Sequence, residues 1–152
     1  MTTVKTVATN RKAYHDYFLQ EPQEAGIALT GTEIKSVRAS HVSLRDSYVT
    51  IRNGQAFLVN MHIAPYSAGS RANPDPRRDR KLLLHRRQIA RMEAAVQEKG
   101  LTIVALRMYL KENRAKVEIA LAKGKKLYDK REAMAKKETQ RLVEREMKGH
   151  GP

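Results

Sequence analysis

The sequence predicts a mainly β protein with peripheral helices, an antiparallel closed or nearly closed barrel followed by a basic C-terminal tail. Three observations predict it. About six or seven short apolar runs outnumber two helical stretches, and most neighbours are joined by turn-forming residues. Apolar periodicity then stops at Gly124, while charge continues to the C-terminus. The pivot is residues 114–131, RAKVEIALAKGKKLYDKR, in which 116–122 alternate like a strand before the charged stretch begins. We therefore divide the chain into a barrel over 1–122 and a tail over 123–152. A body of roughly 115 residues can bury a core of its own.

Taken in order, residues 1–12 are polar and predict no regular structure. Residues 13–19, AYHDYFL, are rich in aromatics and predict a first strand. Pro22 interrupts it, because proline cannot donate to a ladder, and residues 27–29 resume it. Residues 30–38 predict a short helix, with Thr32 as its cap and Ile34 and Val37 facing the core. Residues 48–52 and 55–59 flank Asn53-Gly54, a dipeptide suited to a type I′ hairpin turn. A two-residue loop pairs Arg52 with Gln55, Ile51 with Ala56 and Val49 with Leu58. Residues 66–76 form a long turn region, and Leu82-Leu83-Leu84 read as a short buried strand. Residues 85–99 predict an amphipathic helix with Ile89, Met92 and Val96 on one stripe, closed by Gly100 in a left-handed conformation. Residues 101–110 predict a strand with Val104, Leu106, Met108 and Leu110 on one face and Ile103, Ala105 and Tyr109 on the other. Residues 111–114 turn it into the final strand.

Composition narrows the partners. The 152 residues carry a formal net charge of +14, which points to nucleic acid or an anionic membrane surface. No run is long and apolar enough to span a bilayer, and the N-terminus has no signal-peptide pattern, so a cytoplasmic location is expected. With no cysteine, disulfides and thiolate metal sites are excluded. The absence of tryptophan and the presence of only two phenylalanines favour backbone and shape recognition over stacking of splayed bases. The five histidines have no metal-ligand or catalytic spacing, so neither a cofactor nor an enzymatic role is expected.

Two basic regions and one carboxylate are candidate sites. Residues 71–91 hold eight Lys or Arg against two Asp. This is either a solvated face or an RNA-backbone contact, and the predominance of arginine, Arg77 and Arg78 among them, favours the latter. The tail holds ten Lys or Arg against five acidic residues. Its thin apolar stripe predicts a segment disordered when free and helical on a partner. Within it, Gly124 offers a bend, Tyr128 a stacking ring and Asp129 an acceptor among cations. Glu24 either caps a turn or accepts from an RNA amino or 2′-hydroxyl group, and the residues alone leave both open.

Several stretches resemble the SsrA-binding protein family (small protein B, SmpB), the bacterial partner of transfer-messenger RNA. They are NRKAYHDY (10–17), EAGIAL (24–29), GTEIKSVR (31–38), DPRRDRKLLL (75–84), AKGKK (122–126) and DKR (129–131). The resemblance runs in order from about residue 9 into the tail. It implies an oligonucleotide-binding-like (OB-like) barrel that holds the tRNA-like domain of transfer-messenger RNA. It also implies delivery to stalled ribosomes with elongation factor Tu, one monomer per RNA, for trans-translation. Carried over by motif, Glu24, Leu83 and Lys116 form the RNA-contacting set, with Asn10 and Lys12 as additions. For Leu83 this role rests on the resemblance alone, since the leucine run itself reads as core. Gly124, Lys125, Lys126, Tyr128, Asp129, Lys130 and Arg131 belong to the tail that the resemblance places in the small-subunit decoding centre and mRNA channel. The competing reading from the residues is a ribosomal or ribosome-assembly protein on ribosomal RNA.

Overall fold

The computed structural model describes residues 3–66 and 73–125. In chain order the elements are β1 (Val4–Thr9), α1 (Arg11–Asp16), β2 (Tyr17–Ile27), α2 (Gly31–Arg38), β3 (Val42–Ser43), β4 (Tyr48–Arg52), β5 (Gln55–Val59), β6 (His62–Ile63), β7 (Arg80–Leu83), α3 (Arg86–Lys99), β8 (Thr102–Lys111) and β9 (Arg114–Gly124). Antiparallel pairing runs β8–β4–β5–β7–β2–β9 and returns from β9 to β8, a ring of six strands. Its thinnest joint is the single pair Tyr48–Val104 between β4 and β8. β1 lies along the other half of the same β8 edge. The main core lies on the inner face, where Leu58, Met108, Val117 and Ile119 are fully buried. α3 adds Ile89 and Met92 to it. No helix of the described residues is long and apolar enough to cross a membrane.

The mainly β antiparallel class with peripheral helices is the one observed, and local turn chemistry explains its hairpins. β4 and β5 pair in the predicted register, Arg52 with Gln55 through Tyr48 with Val59. Asn53 and Gly54 take the positive φ values, 53° and 73°, that a type I′ turn needs. The β8–β9 turn does the same without glycine, at Glu112 (51°) and Asn113 (66°). Gly100 closes α3 at φ 64°, and Leu101 folds into the core.

Four predicted elements are corrected. The N-terminal residues are not without structure: β1 forms because β8 offers it an edge. The first predicted strand begins as α1. Asn10 caps that helix, accepting from the Ala13 amide at 3.3 Å, while its own amide donates to the carbonyls of Ala105 (2.9 Å) and Leu44 (3.2 Å). β2 is one strand through Pro22, which the ladder tolerates because the register shifts between Gln20 and Gln23. In β8 the register shifts between Ala105 and Arg107. Ile103 and Ala105 therefore share the core with Met108 and Leu110, and Val104 and Leu106 join a separate outer cluster with Ala13, Ala120 and Ala122. Counting β1, β3 and β6, nine strands and three helices are present among the described residues.

The cap of α2 also differs. Thr30, not Thr32, accepts from the Glu33 amide (3.3 Å), and Glu33 accepts from the Thr30 amide (2.9 Å), a reciprocal capping box. The same carboxylate takes Arg80 Nε at 2.7 Å and Arg78 Nη2 at 2.5 Å. Arg80 is completely buried. Its remaining donors reach the carbonyls of Met61 (2.7 Å), Pro76 (3.0 Å) and Arg78 (3.2 Å). Burial pushes the Glu33 carboxyl up, but the bonds from Arg78, Thr30 and Arg80 outweigh it and hold it below its ordinary 4.5.

That lowered value sets a sign. Glu33 contributes fully above the ordinary carboxylate range, and its contribution is lost as pH falls through the folded value. Glu33→Gln is expected to cost about 3–5 kcal/mol at neutral pH by leaving Arg80 buried and unpaired. Its stability should also fall less steeply than wild type below pH 4.5. Urea unfolding at pH 7 and across the acid range checks both.

Candidate nucleic-acid interface

The outer face of β2, β9 and β8 divides into a covered and an open end. α1 covers one end through the small cluster around Ala13, with Tyr17 and Leu19 packed beside it. At the other end cross-strand register builds two rows. Gly26 faces Leu83 of β7 on one side and Lys116 of β9 on the other, and Lys116 in turn faces Tyr109 of β8. One pleat away, Glu24 faces Glu118, and Glu118 faces Arg107. Residues two apart on a strand share a face, so all of these except the glycine send side chains to the same side.

The glycine matters at its position. A Cβ on Gly26 would lie 3.1 Å from the Cβ of Leu83, so a larger residue would press on Leu83 across the row. Leu83 itself is 56% exposed, whereas Leu82 is buried. The core reading of Leu83 is thus corrected: β7 alternates, with Arg80 and Leu82 inward and Lys81 and Leu83 outward. Beside the row opens a groove of about 620 Å³ between the β4–β5 turn, β7 and the start of α3. Glu24, Lys81, Leu83, Arg86 and Lys116 line it.

The electrostatics are mixed rather than uniformly basic. Tyr109 donates to Glu24 Oε1 at 2.5 Å, and Lys111 reaches the same oxygen at 3.5 Å. The bond from Tyr109 is the main reason that the Glu24 carboxyl lies below its ordinary value; partial burial opposes it and Lys111 and Lys116 assist. Burial, with Glu24 alongside, pushes the Tyr109 phenol well above its ordinary value. The pair is therefore carboxylate and neutral phenol at physiological pH. Arg107 sits 4.5 Å from the centre of the Tyr109 ring and 3.6 Å from Glu118. Such an array offers cations to phosphate and fixed acceptors to hydroxyl or amino donors.

The structure brings Glu24, Leu83 and Lys116 together in one groove. The other expected residues lie elsewhere. Asn10 is 6% exposed with its amide engaged inside the body, and Lys12 pairs with Asp46 at 3.0 Å. They line a separate depression with Asp16, Ser47 and Tyr48, and no residue lines both. Arg78 is held by Glu33, and Arg77 donates to the Asn60 carbonyl and Oδ1. Gly124, the last residue of β9, pairs with Tyr17, and the Lys125 ammonium lies 5.1 Å from the centre of the Phe18 ring. Lys126, Tyr128, Asp129, Lys130 and Arg131 lie outside the described residues. Sequence reasoning missed Tyr109, Arg107 and Glu118 as members of the site. The signal for Tyr109 was present: a two-residue turn at Glu112-Asn113 pairs Lys111 with Arg114 and hence Tyr109 with Lys116.

The SmpB protein family model matches residues 7–149. The SsrA-binding protein of Caldicellulosiruptor bescii is 57% identical over 145 residues, covering 95% of this chain and 92% of that protein. The one from Carboxydothermus hydrogenoformans is 56% identical over 144 residues, covering 95% and 97%. A solved chain from a study of tmRNA and SmpB at the centre of the bacterial ribosome matches with a TM-score of 0.66 and 50% identity, covering 77% of this chain and 82% of that one.

The alternation of β7 makes a sharp contrast measurable. Leu82→Ala should cost about 2–5 kcal/mol, as for a core truncation. Leu83→Ala should stay within about 0.5 kcal/mol of wild type. Paired chemical denaturation curves check this, and similar losses for the two would return Leu83 to the core.

Proposed function

The chain belongs to the SmpB protein family, and on that premise we propose that it binds transfer-messenger RNA and acts with it on stalled bacterial ribosomes in trans-translation. The relatives are named for binding SsrA, and the matching structure concerns tmRNA with SmpB in the ribosome. That favours this reading over a ribosomal or assembly protein. In this chain the observation that carries it is the row Leu83, Gly26, Lys116 with Glu24 one pleat away, an apolar, cationic and anionic set on an open sheet face. A core has no use for that set, and an RNA surface does.

In this reading residues 1–122 are the RNA-recognition unit. Leu83 packs on a sugar or base of the tRNA-like domain, Lys116 and its cationic neighbours meet phosphates, and Glu24 accepts from a hydroxyl or amino group. Asn10 acts as a brace under α1, with Lys12 at the surface. Arg77 and Arg78 hold the loop that leads into β7 and present what remains of their charge. Residues 123–152, with Gly124, Lys125, Lys126, Tyr128, Asp129, Lys130 and Arg131, enter the decoding centre and the empty mRNA channel. Elongation factor Tu accompanies the charged RNA, one monomer of this protein serves each RNA, and the work is done in the cytoplasm. The protein's part is binding and placement, with no catalytic step of its own.

Titration of the tRNA-like domain against full-length protein and a form ending at Ala122, with excess ordinary tRNA and across a salt series, tests this directly. Both forms are expected to bind alike and to resist the competitor. Equal competition by ordinary tRNA would overturn the reading. Glu24→Ala, Leu83→Ala and Lys116→Ala are each expected to weaken binding about tenfold, roughly one charged or well-packed contact, with melting unchanged.

The double variant Asp129→Ala with Lys130→Ala should bind the RNA normally yet fail to support peptide tagging in a reconstituted translation reaction. A loss of RNA affinity in that variant would show that the tail is not a separate unit.

A further inference from the structure

Tyr109 is 4% exposed, too buried to offer much surface to a partner. Yet its hydroxyl emerges at the open face and donates to Glu24. Tyr109 and Lys111 both converge on Oε1, and no hydrogen bond among the described residues reaches Oε2. Glu24 is thus pinned by one oxygen and presents the other. The ring behind it is itself braced: Arg107 stacks over it, and Glu118 holds Arg107. A glutamate on an open strand face would otherwise sample several rotamers, and ordering it on binding would reduce affinity.

Resting on the RNA-binding reading above, we infer that Tyr109 is a positioning residue, which fixes Glu24 before binding so that Oε2 faces a hydrogen-bond donor on the RNA. Tyr109 then acts on affinity only through Glu24. The ring must stay for packing, so Tyr109→Phe, which removes the hydroxyl alone, is the informative change.

The experiment is a double-mutant cycle on the full chain with Tyr109→Phe, Glu24→Ala and both, titrated with the tRNA-like domain of transfer-messenger RNA and with ordinary tRNA. Tyr109→Phe is expected to bind the tRNA-like domain about tenfold more weakly, with an unchanged melting temperature. In the Glu24→Ala background the same change should cost less than about twofold, since the group it positions is gone. A carboxyl NMR titration of the free protein gives an independent reading. The Glu24 carboxyl, faced also by Lys111, Lys116 and Glu118, should titrate below 4.5 in wild type and move up in Tyr109→Phe. Wild-type affinity in Tyr109→Phe, equal losses in both backgrounds, or an unmoved carboxyl overturns the inference alone. A wild type that does not prefer the tRNA-like domain to ordinary tRNA overturns the functional reading, and the inference falls with it.

Discussion

The buried pair Glu33–Arg80 sets the parity of β7, and the open row of Leu83, Gly26 and Lys116 depends on that parity. Residues 80–84 read Arg-Lys-Leu-Leu-Leu, and the leucine run alone does not say which of its members points inward. A strand slipped by one residue would exchange every side chain between core and solvent. Arg80 removes the ambiguity. Its guanidinium is fully buried and meets one carboxylate and three backbone carbonyls. No other residue of the strand could fill that set of acceptors. With Arg80 inward, Leu82 must also be inward and Leu83 must face out beside Gly26. An apolar replacement of both charges would not be equivalent, because the carbonyls of Met61, Pro76 and Arg78 would lose a donor. Buried ion pairs are weak evidence for stability; here the pair works as a register device.

Two irregularities then decide how the outer sheet face is shared. The shift in β2 at residues 20–23 and the shift in β8 at residues 105–107 lie on strands that flank β9. On one side of them, small apolar residues, Ala120 and Ala122 of β9 with Val104 and Leu106 of β8, accept α1. On the other side, Lys116, Glu118, Arg107 and Tyr109 lie outside that cluster, with Tyr14 of α1 close enough to Glu118 and Arg107 to feel their charges. Without the β8 shift, Arg107 and Tyr109 would turn toward the core and the second row would not exist. The bulges therefore belong to the site as much as the side chains do.

What was legible in the sequence follows from how local its cause is. The β4–β5 hairpin was readable to the residue because a two-residue turn fixes every pair. α1 was not, because the group that stabilises its start, Asn10, binds carbonyls 34 and 95 positions away. The β8 bulge was hard to see because residues 103–106 and 108–110 are all apolar or aromatic; its one trace is Arg107, which an unbroken alternation would put on the same face as the core residues Ile103 and Ala105. The arginines of residues 77–80 read as one basic face, yet the fold separates a buried structural Arg80 from partly exposed Arg78. Glu24, Leu83 and Lys116 came from motif resemblance. The register then gave them a physical relation that no spacing in the chain could state, since they come from three strands.

The mixed charge of the face has a consequence for selectivity. A chain with a formal net charge of +14 attracts any RNA through phosphate contacts and counterion release, and that attraction carries no sequence or shape information. Glu24 and Glu118 lie as register partners within the open face. They repel a phosphate placed over them and leave unmet acceptors wherever the RNA offers no donor. In the proposed complex both effects penalise misplaced RNA, so discrimination draws on exclusion as well as on contact. A pinned carboxylate discriminates better than a mobile one, because it cannot swing away from the wrong partner. In the proposed complex, cations around the groove supply the encounter, and Glu24, fixed in its lining, helps decide which encounters last.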